Sequence, residues 1–282
     1  MDELLKMKQI YSAIALSLGV TFAAQAAVPA ENSNLPGELP AALALATQGG
    51  MSVENRFDAE GGLTGWLLKS SNGSYAIAYT PANGEVVLAG SLISAKGEDL
   101  TKKYLSMYGN YDKFLPRLEQ TETINAGAKG DAVKSTIYAF LDTNCIFCHY
   151  LHKALKPYQE AGLEVKWVPV AILGGNSPGQ AAALLEAKDP AAALEEHEAT
   201  WSPKDDNPGI APVALSQKRK AQLDANVQLM QDMGGNGTPL IVYKDSRGHW
   251  QKASGMPRLG DLPEITGLPE QKIEDPALNR FR

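Results

Sequence analysis

Cys145 and Cys148 are the only cysteines in 282 residues, and they stand three apart. On a helix this spacing puts both sulfurs on one face, within reach of a disulfide of normal geometry. Residues 135–162 read as strand, turn and helix. Residues 135–141 are rich in β-branched and aromatic side chains, which suits a buried strand. Asp142-Thr143-Asn144 is turn and cap chemistry. From Cys145 onward, Phe147, Leu151 and Leu155 recur at helical spacing. Pro157 is predicted to bend or end that helix, and Gly162 to close it. A sulfur at the start of a helix meets unpaired N–H groups and the positive end of the dipole, so the thiolate is favoured over the thiol. The dipole contributes about 0.3–1 kcal/mol, at best about 2, and one pKa unit is about 1.36 kcal/mol. It therefore lowers the pKa by about one unit, and further lowering must come from direct N–H contacts or a cation. Cys148, one turn in, is covered. The chemistry implied is thiol–disulfide exchange, with Cys145 attacking and Cys148 resolving.

Rival readings of C-x-x-C carry less. With His149 the stretch spells C-x-x-C-H, a haem-attachment pattern. Haem attachment needs no preceding buried strand, and downstream only scattered methionines offer an axial ligand. A zinc site using His149 or His152 lacks a second paired knuckle. A structural bridge this short closes too little chain to stabilise much. No metal and no cofactor is expected.

Far downstream, Gly237-Thr238-Pro239 precedes the apolar run Leu240 to Lys244. A Thr-Pro before a buried strand, in a chain with strand-CxxC-helix, resembles the cis-proline loop of the thioredoxin fold. The resemblance sharpens through Phe140-x-Asp142-x-x-Cys145-x-x-Cys148 and Ser177-Pro178 with Ala182-Ala183 and Lys188-Asp189-Pro190. It continues in Phe57-Asp58-Ala59-x-Gly61-Gly62-x-x-Gly65 and Lys96-Gly97-Glu98-x-Leu100. Across nearly the whole mature chain the sequence is similar to the DsbC/DsbG family of periplasmic disulfide isomerases, on its DsbG side. The resemblance implies an α+β protein: a thioredoxin-fold catalytic domain with a helical insertion, and a small cystatin-like antiparallel amino-terminal domain that dimerises, joined by a linker helix. It further implies a homodimer, misoxidised or sulfenylated client proteins, and a membrane thiol reductase of the DsbD type as electron source. One departure is Ile146-Phe147 between the cysteines, where the family usually has Pro-Tyr or Gly-Tyr. That change puts the redox potential, and the balance of isomerase against oxidant, in question.

The elements that must position these groups follow along the chain. Residues 1–26 read as a secretory signal, with Lys6 and Lys8 before an apolar stretch and Ala24-Gln25-Ala26 as cleavage site. Met7 is an alternative start. The signal directs the chain to an oxidising compartment, the periplasm of a Gram-negative cell. Residues 27–97 are the expected amino-terminal domain: a short helix over 39–48, then strands at 66–68, 75–79 and 86–88 with Asn72-Gly73 and Asn83-Gly84 as hairpin turns. A unit this small buries little core alone, which favours pairing with a copy of itself. Residues 98–125 form a connector helix interrupted by Gly109 and Pro116. The catalytic domain spans 126–267. Its second strand covers 164–171 and is expected to be irregular or near an edge because of Pro169. Helices over 181–188, 191–201 and 216–233 form the insertion. Residues 245–248 turn Leu240–Lys244 back onto residues 249–252. Residues 268–282 are expected to be a loose tail.

Thr238 and Pro239 are expected to flank the client. Asp142 is read either as a buried proton acceptor or as a turn and cap residue, and His149 either as a neighbour of the thiolate or as a solvent-facing side chain. His152, His197 and Trp250 receive no role. The net charge of −6 gives no support to a nucleic-acid partner. Competing functions are a holdase chaperone with secondary redox chemistry and a DsbA-like thiol oxidant.

Overall fold

A computed structural model describes residues 39–71, 73–202 and 209–282, all within one compact unit, Asn32–Arg282. The expected leader, 1–26, lies outside the described residues. Among the described residues no helix is long and apolar enough to cross a membrane.

The amino-terminal part begins with helix α1 (Ala41–Thr47). A four-stranded antiparallel sheet follows in the order β1 (Met51–Ala59), β2 (Leu63–Ser70), β3 (Tyr75–Thr80) and β4 (Leu88–Ala89). The strand expected at 86–88 is reduced to the two residues of β4, and Val86 and Leu88 stay exposed. Gly84 turns the chain with φ 66°, a value open to glycine at no steric cost. Phe57, Leu67, Ile77 and Tyr79 pack under Leu100 and Tyr104 of helix α2 (Leu100–Tyr108), whose Asp99 side chain caps the Lys102 N–H.

The expected connector is interrupted as its Gly109 and Pro116 require: α2 stops at Gly109, and α3 (Leu115–Glu119) carries proline in its first turn. Tyr111, Phe114 and Leu118 are buried against the catalytic sheet, so the second half of the connector belongs to that core. Ile124 already pairs with Trp167 in the same sheet, two residues ahead of the expected boundary.

That second sheet runs β5 (Ile124–Gly127), β7 (Leu163–Pro169), β6 (Ser135–Leu141), β8 (Leu240–Lys244), β9 (Trp250–Ser254), with only β6 and β7 parallel. Strand β6 is apolar on both faces because both are covered. Ile137, Ala139 and Leu141 face a core shared with helix α4 (Ile146–Ala161), while Tyr138 and Phe140 face the connector and helix α7 (Gln217–Asp232). The insertion adds α5 (Ser177–Glu186) and α6 (Pro190–Thr200), each with proline at its start. Helix α8 (Leu262–Thr266) closes the domain.

Three expectations change. Pro157 does not end α4, which continues to Ala161 and stops at Gly162 with φ 120°. Buried Leu155 and Tyr158 on either side hold the helix against the sheet, which outweighs one lost backbone hydrogen bond. Strand β7 lies between β5 and β6 and is no edge; Pro169 is its last residue, where the lost N–H costs least. Residues 268–282 are no loose tail: Leu268, Ile273 and Leu278 are buried in the α4 core, and Asp275 pairs with Lys153 of α4. Their spacing follows neither a helical nor a strand period, so the apolar signal did not stand out. Replacing Leu278, fully buried, by Ala should lower unfolding free energy by about 2–5 kcal/mol in urea. A change below about 0.5 kcal/mol, the usual size at an exposed site, would restore the loose-tail reading.

Candidate active site

Strand β6 and helix α4 are joined by Asp142-Thr143-Asn144-Cys145, so the first cysteine is the N-cap of α4 with extended backbone (φ −89°, ψ 111°). There its sulfur accepts from the Cys148 N–H at 3.4 Å, the bond a helix-capping oxygen would ordinarily take. The pairing of Phe140 with Leu240 brings the start of β8 beside this turn. The Thr238–Pro239 peptide bond is cis, as expected, and the Cys145 thiol donates to the Thr238 carbonyl oxygen at 3.2 Å. Both cysteines are free thiols, Cys145 8% exposed and Cys148 1%.

The two thiols differ sharply in acidity. Cys145 is pulled from 9.0 to about 6, above all by the hydrogen bond from the Cys148 side chain. Burial opposes this; the Thr238 side chain and the N–H groups of Cys148 and Phe147 assist it. The extra lowering beyond the dipole thus comes from hydrogen bonds, with no cation among the main causes. The Thr238 carbonyl stabilises the neutral thiol instead, while the Thr238 hydroxyl is buried with no well-aligned partner of its own among the described residues. Burial, and then Cys145 itself, push Cys148 well above its ordinary value. One nearly buried, readily ionised thiol backed by one fully buried thiol suits exchange with a disulfide brought to the site.

Asp142 takes the turn-and-cap role. It is 1% exposed, and its two oxygens accept from the N–H groups of Asn144 (3.0 Å), Ile172 (2.8 Å) and Leu173 (3.0 Å) and from the Ser177 hydroxyl. A carboxylate so occupied ties the cysteine turn to the segment after β7. His149 is held by the insertion. Its Nδ1 lies 2.8 Å from Glu198 on α6, and its ring packs near Trp201. His149, half-buried, is thus paired with the insertion.

Sequence reasoning missed that insertion's part in the site. Thr143 donates to Gln180, Asn144 donates to Ser177, and the Thr143 carbonyl lies 2.9 Å from His197. Ser177, Gln180 and His197 are each no more than 1% exposed. Polar residues in Ala-rich helices were the available signal, but only the tertiary fold shows what they face. Ile146 and Phe147 between the cysteines are 40% and 43% exposed, an apolar rim to the sulfur.

Two consequences are measurable. Asp142→Ala leaves four donors without their acceptor and should destabilise the protein by about 3 kcal/mol or more in chemical unfolding; an Asp142 that only moved protons would leave stability near wild type. The reduced protein should also gain stability as pH rises from about 6 toward 9. The folded Cys145 ionises across that window while the unfolded thiol, near its ordinary value, does not. Above pH 9 the Cys145 contribution is complete, and buried Cys148, which resists ionising, opposes any further rise. Cys145→Ser should abolish the rise.

A thioredoxin-like domain family matches residues 120–257. The thiol:disulfide interchange protein DsbG of Pseudomonas aeruginosa is 33% identical over 90% of this chain and 96% of its own. DsbG of Escherichia coli is 30% identical over 82% and 92%. The solved structure of Helicobacter pylori DsbG, 14% identical, overlays 71% of this chain and 97% of its own with a TM-score of 0.39. Identity at these levels along almost the full length of both curated relatives means that the chain belongs to the DsbG family of thiol:disulfide interchange proteins.

Proposed function

We propose that this thiol–disulfide oxidoreductase works in the periplasm as an isomerase and reductase, with Cys145 as nucleophile and Cys148 as resolving thiol. The observation that carries the reading is the sulfur of Cys145 at the α4 N-terminus, accepting from the Cys148 N–H with the cis-proline loop 3.2 Å away. The Cys145 thiolate attacks one sulfur of a client disulfide, forming a mixed disulfide and expelling the client's other sulfur as thiolate. That thiolate either attacks a second client disulfide or remains. In the first case the client thiolate expelled there attacks the client sulfur of the mixed disulfide, closing a new client bridge and releasing the Cys145 thiolate. In the second case deprotonated Cys148 attacks the Cys145 sulfur, and the client leaves reduced while a Cys145–Cys148 disulfide forms. Two electrons from an external dithiol, of the DsbD type, restore the pair. With a sulfenylated client, Cys145 displaces hydroxide, which leaves as water after protonation, and Cys148 again resolves.

The Thr238-Pro239 loop beside the sulfurs offers backbone groups to an extended client segment. Proline lacks the N–H that would draw the loop into the sheet. Asp142 acts through the turn and His149 through α6 rather than on the client. Large apolar side chains left exposed on the amino-terminal part, Leu45 at 68%, Val86 at 52% and Ile93 at 54%, support a homodimer formed through that part. Export by way of residues 1–26 accords with the need for an oxidising compartment.

Refolding of a scrambled multi-disulfide client tests the assignment. Cys145→Ser should reduce the rate to the uncatalysed level. Cys148→Ser should accumulate a mixed disulfide visible on a non-reducing gel. Refolding that survives in Cys145→Ser, with aggregation still suppressed, would make the protein a holdase whose exposed Ile146 and Phe147 do the binding. A pair found mostly oxidised in cells would mark a thiol oxidant.

A further inference from the structure

The cysteine turn is held from outside its own strand and helix by two adjacent residues of α6. His197, 1% exposed, places Nε2 2.9 Å from the Thr143 carbonyl oxygen, two residues before Cys145. Its Nδ1 accepts from the Ile210 N–H at 3.1 Å, which leaves Nε2 as the donor to Thr143. A side chain at Gly209 would collide with His197 Nδ1, so the loop approaches the ring as closely as a glycine permits. The next residue, Glu198, 8% exposed, sets its carboxylate 2.8 Å from His149 Nδ1, four residues after Cys145. The His149 backbone N–H in turn donates to the Cys145 carbonyl at 3.1 Å. One turn of α6 therefore grips the chain on both sides of the nucleophile.

We propose that His197 and Glu198 form a clamp that positions the Cys145 sulfur against the N–H groups of Phe147 and Cys148, making them positioning residues for the exchange reaction. The physical reason is geometric. The capping bond to sulfur is 3.4 Å long, and cap geometry depends on the backbone angles of Cys145 itself. Those angles are set by where Thr143 and His149 are held. The His197 and Glu198 side chains are both buried, and each finds its hydrogen-bond partner on a residue that flanks Cys145. The clamp rests on Cys145 being the nucleophile.

The test is the pH profile of Cys145 alkylation by iodoacetamide in the reduced protein, measured for wild type, His197→Ala, Glu198→Ala and the conservative His197→Gln and Glu198→Gln. Thermal unfolding of each variant reports on folding separately. The alanine variants should move the midpoint of the profile to higher pH. A midpoint higher by about one pH unit should slow alkylation at pH 5 by about threefold, since a tenfold loss of thiolate is partly offset by the greater nucleophilicity of the more basic sulfur. His197→Gln keeps a donor for the Thr143 carbonyl, and Glu198→Gln an acceptor for His149, so both should recover much of the wild-type midpoint. Folded alanine variants that keep the wild-type midpoint would overturn the clamp and leave only a packing role. If His197→Ala does not fold, Glu198→Ala and the Gln variants decide the matter by the same reading. A wild-type midpoint at the ordinary thiol value would instead overturn the assignment of Cys145 as nucleophile, whatever the variants do.

Discussion

The structure turns on one arrangement: the sulfur of Cys145 where a helix begins, facing first the Cys148 thiol and then the Cys148 N–H. Most helices satisfy such an N–H with an oxygen. Here a larger and more polarisable atom takes it, and the group that gains is a thiolate. Because the same helix buries Cys148, the geometry that eases ionisation of one sulfur hinders it in the other. The asymmetry an exchange reaction needs comes from a single element carrying two residues of the same type.

That arrangement has to be held in place from three directions. Strand β6, covered on both faces, fixes where the turn starts. Strand β8, paired with β6 through Phe140 and Leu240, carries the Thr238-Pro239 loop to the sulfur. The insertion supplies Ser177, Gln180 and His197, which hold Asp142, Thr143 and Asn144. The helical insertion is thus more than a spacer between strands; its polar residues form the underside of the site.

The sequence was informative where chemistry is local. Residue spacing around Cys145, cap residues and the apolar run after Thr238-Pro239 pointed to the strand, helix and loop that the structure contains, and even the interrupted connector follows from Gly109 and Pro116. It was less informative where the answer depends on a distant partner. Asp142 looked equally fit for proton transfer or for a turn until four donors converged on it. His197 stood out only as a polar residue in an Ala-rich helix, which says nothing about the carbonyl it meets 54 residues away in sequence. Residues 268–282 looked polar because their three buried side chains stand five apart among charges, a spacing that is neither helical nor strand-like. In each case local propensity was overridden by tertiary contact.

The central claim is that Cys145 is ionised at neutral pH while Cys148 is not. Thiolate absorbance at 240 nm, followed by pH titration of the reduced protein, tests it most directly. The expected result is a first step of one thiolate centred near pH 6 and no second step below pH 9. A first step near the free-thiol value of about 8.5, or two thiolates appearing together, would contradict it.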